Sequence, residues 1–315
     1  MKTWAPTTSV LAISMAFTAI PAQAGTFDAA LASCAKAAEF CDELSYDKEL
    51  CAKTQDGIQD CDEDTGTGVL CRMKLKDIAP TQVSVGAHAT RCKAKAKFDR
   101  HEKKIQKYLL KSTHHVPTVI GPANGAGKRF YITDHHHLSH ALMVANEEKY
   151  TDVDALYACI LTNRKQDESD SFWSFMVHNH LTWLDDENGK AITPGDLEKR
   201  APDLKDLQND AYRTWSRWVR DSCGYVKAGN DCVPPSYPAD AAYFMEFLWA
   251  DYLEQNMPGN EKIDKLSDEE ITKLLEQAIA LAQEPQAYLE NLPGYSDGTV
   301  IPVKVVEIQD GCEKD

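Results

Sequence analysis

The sequence predicts an α+β protein: a compact α/β domain built on a mixed sheet, extended at its C-terminal side by helices. Three observations carry this expectation. Between residues 67 and 165, strand-length apolar runs ("VLCRMKLKDI", "VPTVIG", "RFYIT", "DALYACILT") alternate with helical stretches. Two of those runs are separated only by "PANGAGK", too short for a helical crossover, so they form a hairpin and the sheet is mixed. From "SDSFWSFM" onward the pattern turns helical and rich in aromatic residues.

Each segment has its own reason. Residues 1–24 read as a signal peptide: Lys2 is a thin positive start, "VLAISMAFTAI" an apolar core, and "PAQA" a small-residue cleavage site. The core is too short to span a bilayer comfortably, and no later run reaches that length. Cleavage near Ala24 is therefore expected, releasing a secreted or periplasmic protein without a membrane span. Residues 25–66 form an acidic, cysteine-rich helical segment, in which "TFDAALASCAKAAEFCDEL" sets Cys34 and Cys41 two turns apart on one face. "DEDTGTG" ends it as a linker. The α/β domain covers residues 67–165, with "APTQVSVG" as a turn and "DHHHLSHALMVANE" as a helix entered from a strand. Residues 166–258 make an aromatic-rich helical subdomain, whose "DAYRTWSRWVRDS" and "DAAYFMEFLWADYLEQN" place rings at packing period. Residues 259–315 are a C-terminal helix and tail; Ser267 caps the helix, with Glu270 at the capping-box position.

The formal charge is −15, and more negative by one unit once Lys2 is lost. Such a surface repels polyanions and counts against nucleic acid as the main partner. One stretch opposes the trend: residues 91–111 carry nine Lys/Arg against two acids, as a solvated helix face or a phosphate-facing strip. Ten cysteines agree with an oxidising compartment. Cys223 and Cys232 flank a loop that a bridge could close, whereas Cys159, in "LYACIL", reads as readily as a buried thiol.

Four of the ten histidines fall in "FYITDHHHLSHALMVAN", residues 130–146. Asp134 is the expected N-cap, its carboxylate accepting an N–H from His136 or His137. The first helical turn then offers free amides and imidazole donors to an anion. Successive helical residues diverge by about 100°, so His135, His136 and His137 cannot converge on one ion. His136 and His140 share a face and could hold a divalent metal, with a third ligand from His88, His114, His115, His178 or His180. Metal, phosphate and an ordinary capped turn all remain open, with phosphate favoured.

The stretches "MKLKDIAPTQVSVG", "VPTVIGP" and "FYITDHHHLSHAL", continued by "FWSFM", "DAYRTWSRWVR" and "FMEFLWADYL", resemble the ParB-like nuclease family of the ParB/sulfiredoxin superfamily over about residues 70–255. The resemblance implies a ParB/sulfiredoxin-like fold and a strand-turn-helix that binds nucleotide or phosphate through a G-H-H-R-L pattern. Laid on this chain, Asp134 falls at the glycine, His135 and His136 at the histidines, His137 at the arginine and Leu138 at the leucine. The departure at His137 replaces a permanently charged fork with an imidazole that is mostly neutral. The superfamily's nucleophilic cysteine has no counterpart in this turn. The resemblance also points to Thr81, Gln82 and Lys93 as pocket residues. Arg213 and Glu246, within the aromatic helices, are expected to hold the helical part against the α/β domain by an ion pair or buried hydrogen bonds.

The family resemblance implies a nuclease or other phosphate-ester enzyme acting on a nucleotide or nucleic-acid-type phosphate at the DHHH helix start. His136 or His137 acts as general acid/base, Lys93 stabilises developing charge, and Thr81, Gln82, Asp134 and His135 bind the phosphate. Its partner is a nucleotide or phosphorylated small molecule, and any divalent ion sits at His136 and His140. The alternative is a secreted, non-catalytic module for an anionic ligand.

Overall fold

The computed structural model describes residues 27–42, 45–227, 232 and 244–314. The expected signal peptide lies outside them. Helices α1 (Asp28–Ala37) and α2 (Lys48–Gly57) lead into strands β1 (Leu70–Lys74), β2 (Ile78–Ala79) and β3 (Ser84–Val85). Next come α3 (Ala87–Lys93), α4 (Glu102–Leu109), β4 (Val116–Ile120), β5 (Phe130–Ile132), α5 (His136–Glu147) and β6 (Ala155–Asn163). Beyond them run α6 (Ser169–His178), α7 (Pro194–Arg200), β7 (Gln208–Asn209), α8 (Ala211–Asp221) and α9 (Met245–Asn256). The last elements are α10 (Asp268–Ala282), α11 (Pro285–Leu289), β8 (Ile308–Gln309) and β9 (Cys312–Glu313).

The main sheet is mixed, in the order β1-β6-β4-β5-β2. β4 and β5 form the antiparallel hairpin expected from "PANGAGK", whereas β4 runs parallel to β6 and β2 parallel to β5. The middle of β6 is buried residue after residue, as a strand covered on both faces should be. β3 and β7 pair in parallel outside this sheet, Ser84 opposite Gln208. The capping box of α10 is present: Ser267 and Glu270 each accept from the other's backbone N–H. Among the described residues, no helix is long and apolar enough to cross a membrane.

Packing moves several expected boundaries. Among the described residues the buried side chains form one large cluster from Phe27 to Leu207, a second from Ala211 to Ile308 and a small third at Cys223, Val226 and Ile301, so the packing changes near residue 210. α6 belongs to the first because Phe172 and Trp173 pack on Tyr131 of β5. The basic stretch is not one helix. α3 passes into a π-helical turn at Ala94–Phe98, and α4 starts afresh where His101 accepts the Lys103 N–H.

All ten cysteines are paired, as Cys34–Cys159, Cys41–Cys51, Cys61–Cys71, Cys92–Cys312 and Cys223–Cys232. Cys34 and Cys41 do not share a helical face, because α1 ends at Ala37. Cys159 is no free thiol: it ties α1 to β6.

Candidate functional site

The site is built on the turn between β5 and α5. The N-cap is His135, not Asp134, and it adopts the left-handed conformation (φ 61°). The Asp134 carboxylate accepts the N–H of His135 at 2.6 Å and caps neither His136 nor His137. A residue bearing a Cβ pays for a left-handed backbone, so the neighbouring structure must hold it there.

His136 and His137 do the holding. Nε2 of His136 accepts the N–H of Thr81 at 3.1 Å, and Nε2 of His137 accepts the N–H of Gly86 at 3.0 Å. An imidazole that accepts at Nε2 is neutral, with its proton on Nδ1. Burial agrees, pushing His136 down to about 3 and His137 well below its ordinary value. Nε2 of each ring is thus engaged with backbone and is not the nitrogen open to the acid/base work expected of both.

Thr81 and Gln82 are corrected as well. The Thr81 hydroxyl donates to the carbonyl of Ile132 at 2.8 Å, and its own carbonyl accepts from Thr182 and Trp183. The Gln82 amide nitrogen donates to the Ser84 carbonyl at 2.6 Å. Both side chains are buried. They fasten the 79–86 segment against the turn and do not present themselves to a ligand.

The metal reading lacks its geometry. His140 Nδ1 lies 2.9 Å from the Thr90 hydroxyl, which itself donates to the Ala87 carbonyl, so the ring is the donor. Among the described residues, three potential ligand atoms converge only at His88, Cys92 and Cys312, and both sulfurs there belong to a disulfide. No third donor joins His136 and His140.

What remains available is Asp134, His135 and Lys93. Asp134 is exposed, and His135 and Lys93 are half-buried. Neither the His135 ring nor the Lys93 ammonium has a hydrogen-bond or ion-pair partner among the described residues. Burial, followed by the charges of Arg217 and Arg220, lowers Lys93 to about 7. Burial also lowers His135, against the pull of Asp134. Although Asp134 is exposed to solvent, neighbouring groups desolvate its carboxyl and favour the neutral acid; the Lys227 and His135 charges outweigh this and hold it below its usual range.

The facing wall comes from α8, α9 and the tail. Glu246 accepts from Arg220 at 2.6 Å and from Lys227 at 2.9 Å. These cations overcome its burial and keep it ionised. The expected Arg213–Glu246 bridge to the α/β domain is therefore replaced by pairs within the helical part. The Arg213 guanidinium instead lies 4.0 Å above the Phe247 ring. Arg217 joins Asp221 (3.2 Å) to Glu313 (3.6 Å). A crevice of only about 20 Å³ opens beside Lys93, walled by Lys97, Arg217, Trp218 and Glu313.

Sequence reasoning missed Arg217, Arg220, Lys227 and Glu313. "RWVRD" carried a signal, since its charges recur at helical spacing between tryptophans. Glu313 carried none, because the contacts that place it, the Cys92–Cys312 bond and the Arg217 ion pair, are remote in sequence.

A mixed-sheet α/β domain with a histidine-bearing strand-turn-helix and a helical extension defines a ParB-like protein. A family model described as "Putative ParB-like nuclease" matches residues 71–255, and the chain belongs to that family. It is similar to protein Atu1540 from Agrobacterium tumefaciens, known from a crystal structure. That likeness has a TM-score of 0.52 and 28% sequence identity, covering 72% of this chain and 97% of that one. No curated protein matches the chain.

Proposed function

We propose that this ParB-like nuclease family member is an exported protein that handles a phosphate ester where the DHHH turn meets α8 and α9. One observation carries the reading: Lys93 and His135, neither with a hydrogen-bond or ion-pair partner among the described residues, are close enough to affect each other's charge beside the exposed Asp134. A cation and a free imidazole at one spot are what phosphate chemistry needs. Lys93 neutralises charge on the phosphate. His135 moves the proton, and Asp134 ranks with it as a ligand contact. His136 and His137 hold the turn.

The substrate is a nucleotide or another small phosphorylated molecule, since the net charge of −15 works against approach by a long polyanion. Five disulfides and no free cysteine among the described residues support export to an oxidising compartment. A second reading, a binding module without turnover, is favoured by the engagement of Nε2 in both His136 and His137.

The test is incubation of the oxidised protein with nucleotides, phosphorylated small molecules and single- and double-stranded nucleic acid, with and without chelator. Turnover lost in Lys93→Met and His135→Ala, with circular dichroism unchanged, supports the enzyme. Saturable binding without turnover supports the module. Neither turnover nor binding with any of these ligands removes the phosphate reading.

A further inference from the structure

His88 and Cys92 stand four residues apart in α3, which places them on one face of the helix. The short hairpin of β8 and β9 brings Cys312 to that face, and the Cys92–Cys312 bond holds the two Cα atoms 5.5 Å apart. A ring nitrogen of His88 and the two sulfurs lie within 4.8 Å of one another. Nδ1 of His88 meets the Asp264 carboxylate at 2.5 Å, and Nε2 faces the Gly311 carbonyl at 2.6 Å. The hairpin has further anchors: the Asp268 carboxylate accepts the N–H groups of Asp310 and Gly311, and Arg217 pairs with Glu313. Opening the disulfide therefore leaves three donors gathered about one point. Cys312 is half-buried, so a small reductant reaches the bond.

We propose that the reduced form of this protein holds a divalent cation of zinc's class at His88, Cys92 and Cys312, so that metal and disulfide are alternative fasteners of the tail to α3. Two thiolates and an imidazole are donors zinc prefers, with the fourth tetrahedral position left to water. Donors around such an ion stand about 3.5 Å apart, which small side-chain rotations reach from the observed spread. Asp264 supplies the carboxylate that a metal-bound imidazole needs on its far nitrogen, which assigns Nε2 as the ligand. Among the described residues no other three ligating groups converge, so the remaining disulfides have no such alternative. The step balances with a small thiol as reductant. Two equivalents give up two electrons and two protons and become their own disulfide, leaving Cys92 and Cys312 as thiols. Metal binding then releases both thiol protons and the Nε2 proton to solvent, while Nδ1–H stays on Asp264.

The test uses the full chain, reduced with a phosphine and exchanged into metal-free buffer, and titrates Co²⁺ and then Zn²⁺. Wild-type protein is expected to bind Co²⁺ with thiolate-to-metal absorption, to exchange it for Zn²⁺, and to gain Tm with zinc. Cys92→Ser/Cys312→Ser keeps the other eight cysteines. Its Zn²⁺ affinity should be at least about tenfold lower, since loss of even an outer partner has that effect. His88→Ala should lose as much. Full reduction can unfold the chain, so Cys312→Asp gives a second route: no reductant is needed, the other four bonds stay closed, and a carboxylate replaces one sulfur. This variant should bind Co²⁺ with a single-thiolate band that is lost in His88→Ala/Cys312→Asp. Where the reduced chain keeps its circular dichroism, equal affinity in wild type and Cys92→Ser/Cys312→Ser overturns the site. Where it does not, absence of the band in Cys312→Asp overturns it. Wild-type affinity retained in His88→Ala removes the imidazole, and the assignment with it.

Discussion

Gly86 donates its N–H to Nε2 of His137 at 3.0 Å, and a Cβ added to the same glycine would lie 2.8 Å from the backbone nitrogen of Thr214. One residue thus fastens the DHHH turn to the start of α3 and lets α8 approach to backbone contact. Gly86→Ala should cost about 1–3 kcal/mol through overpacking, read by urea unfolding. Wild-type stability in this variant would mean that α8 can shift freely.

His136→Ala leaves the Thr81 N–H buried and unsatisfied and opens a void. The combined loss should be about 2–4 kcal/mol. Asn, whose carbonyl can accept the same N–H, should recover part of it. Burial holds His136 at about 3 in the folded protein, against about 6.5 unfolded. Between those values the unfolded chain binds the extra proton, so stability falls as pH drops through that window. His136→Asn should flatten this acid limb, and an unchanged slope would contradict the neutral ring.

Lys93, lowered to about 7, loses its charge as pH rises from 7 to 9. A phosphate monoester, with a second pKa of about 6, holds its charge constant over that range. Affinity should therefore fall with rising pH, opposed to no change in Lys93→Arg, which stays charged; calorimetry at fixed ionic strength reads this. The linkage to folding has the opposite sign. Between about 7 and the ordinary lysine value the unfolded chain binds more protons, so stability contributed by neutral Lys93 grows as pH rises. In the same window Lys93 should be acylated faster than the other lysines, which peptide mass spectrometry can rank.

The Cys34–Cys159 bond closes a separation of 125 residues. Its removal in a Cys34→Ala/Cys159→Ala double variant should cost up to about 5 kcal/mol on chain-entropy grounds. Unreduced wild-type protein should take up no thiol reagent, and digestion should release the five linked pairs described above. A reactive thiol in the native protein would contradict the pairing.

Much of the α/β fold was legible because its signals are local. The "PANGAGK" turn declares a hairpin, "LYACIL" a strand buried on both faces, and Ser267 with Glu270 a helix start. The candidate site was legible only as a location. The roles within the turn depend on contacts 51–55 residues away, from the His136 and His137 rings to Thr81 and Gly86, and no spacing rule contains these. The same distance effect hid the second core. "FWSF" and "RTWSRW" look alike in composition, yet Phe172 packs against β5 and Trp215 packs with α8 and α9. The left-handed His135 was invisible for a different reason: an aspartate before a helix is the commoner cap, and only the rings that follow force the chain past it.

The Cys92–Cys312 bond joins residues 220 positions apart. A nascent chain emerging N-terminus first exposes Cys34, Cys41, Cys51, Cys61 and Cys71 to Cys92 long before Cys312 is synthesised. Were the chain to cross a membrane in that order, earlier cysteines would compete for Cys92, and Glu313 would reach Lys93 only after thiol exchange had released it. Maturation of the site would then be set by a disulfide isomerase rather than by the ribosome.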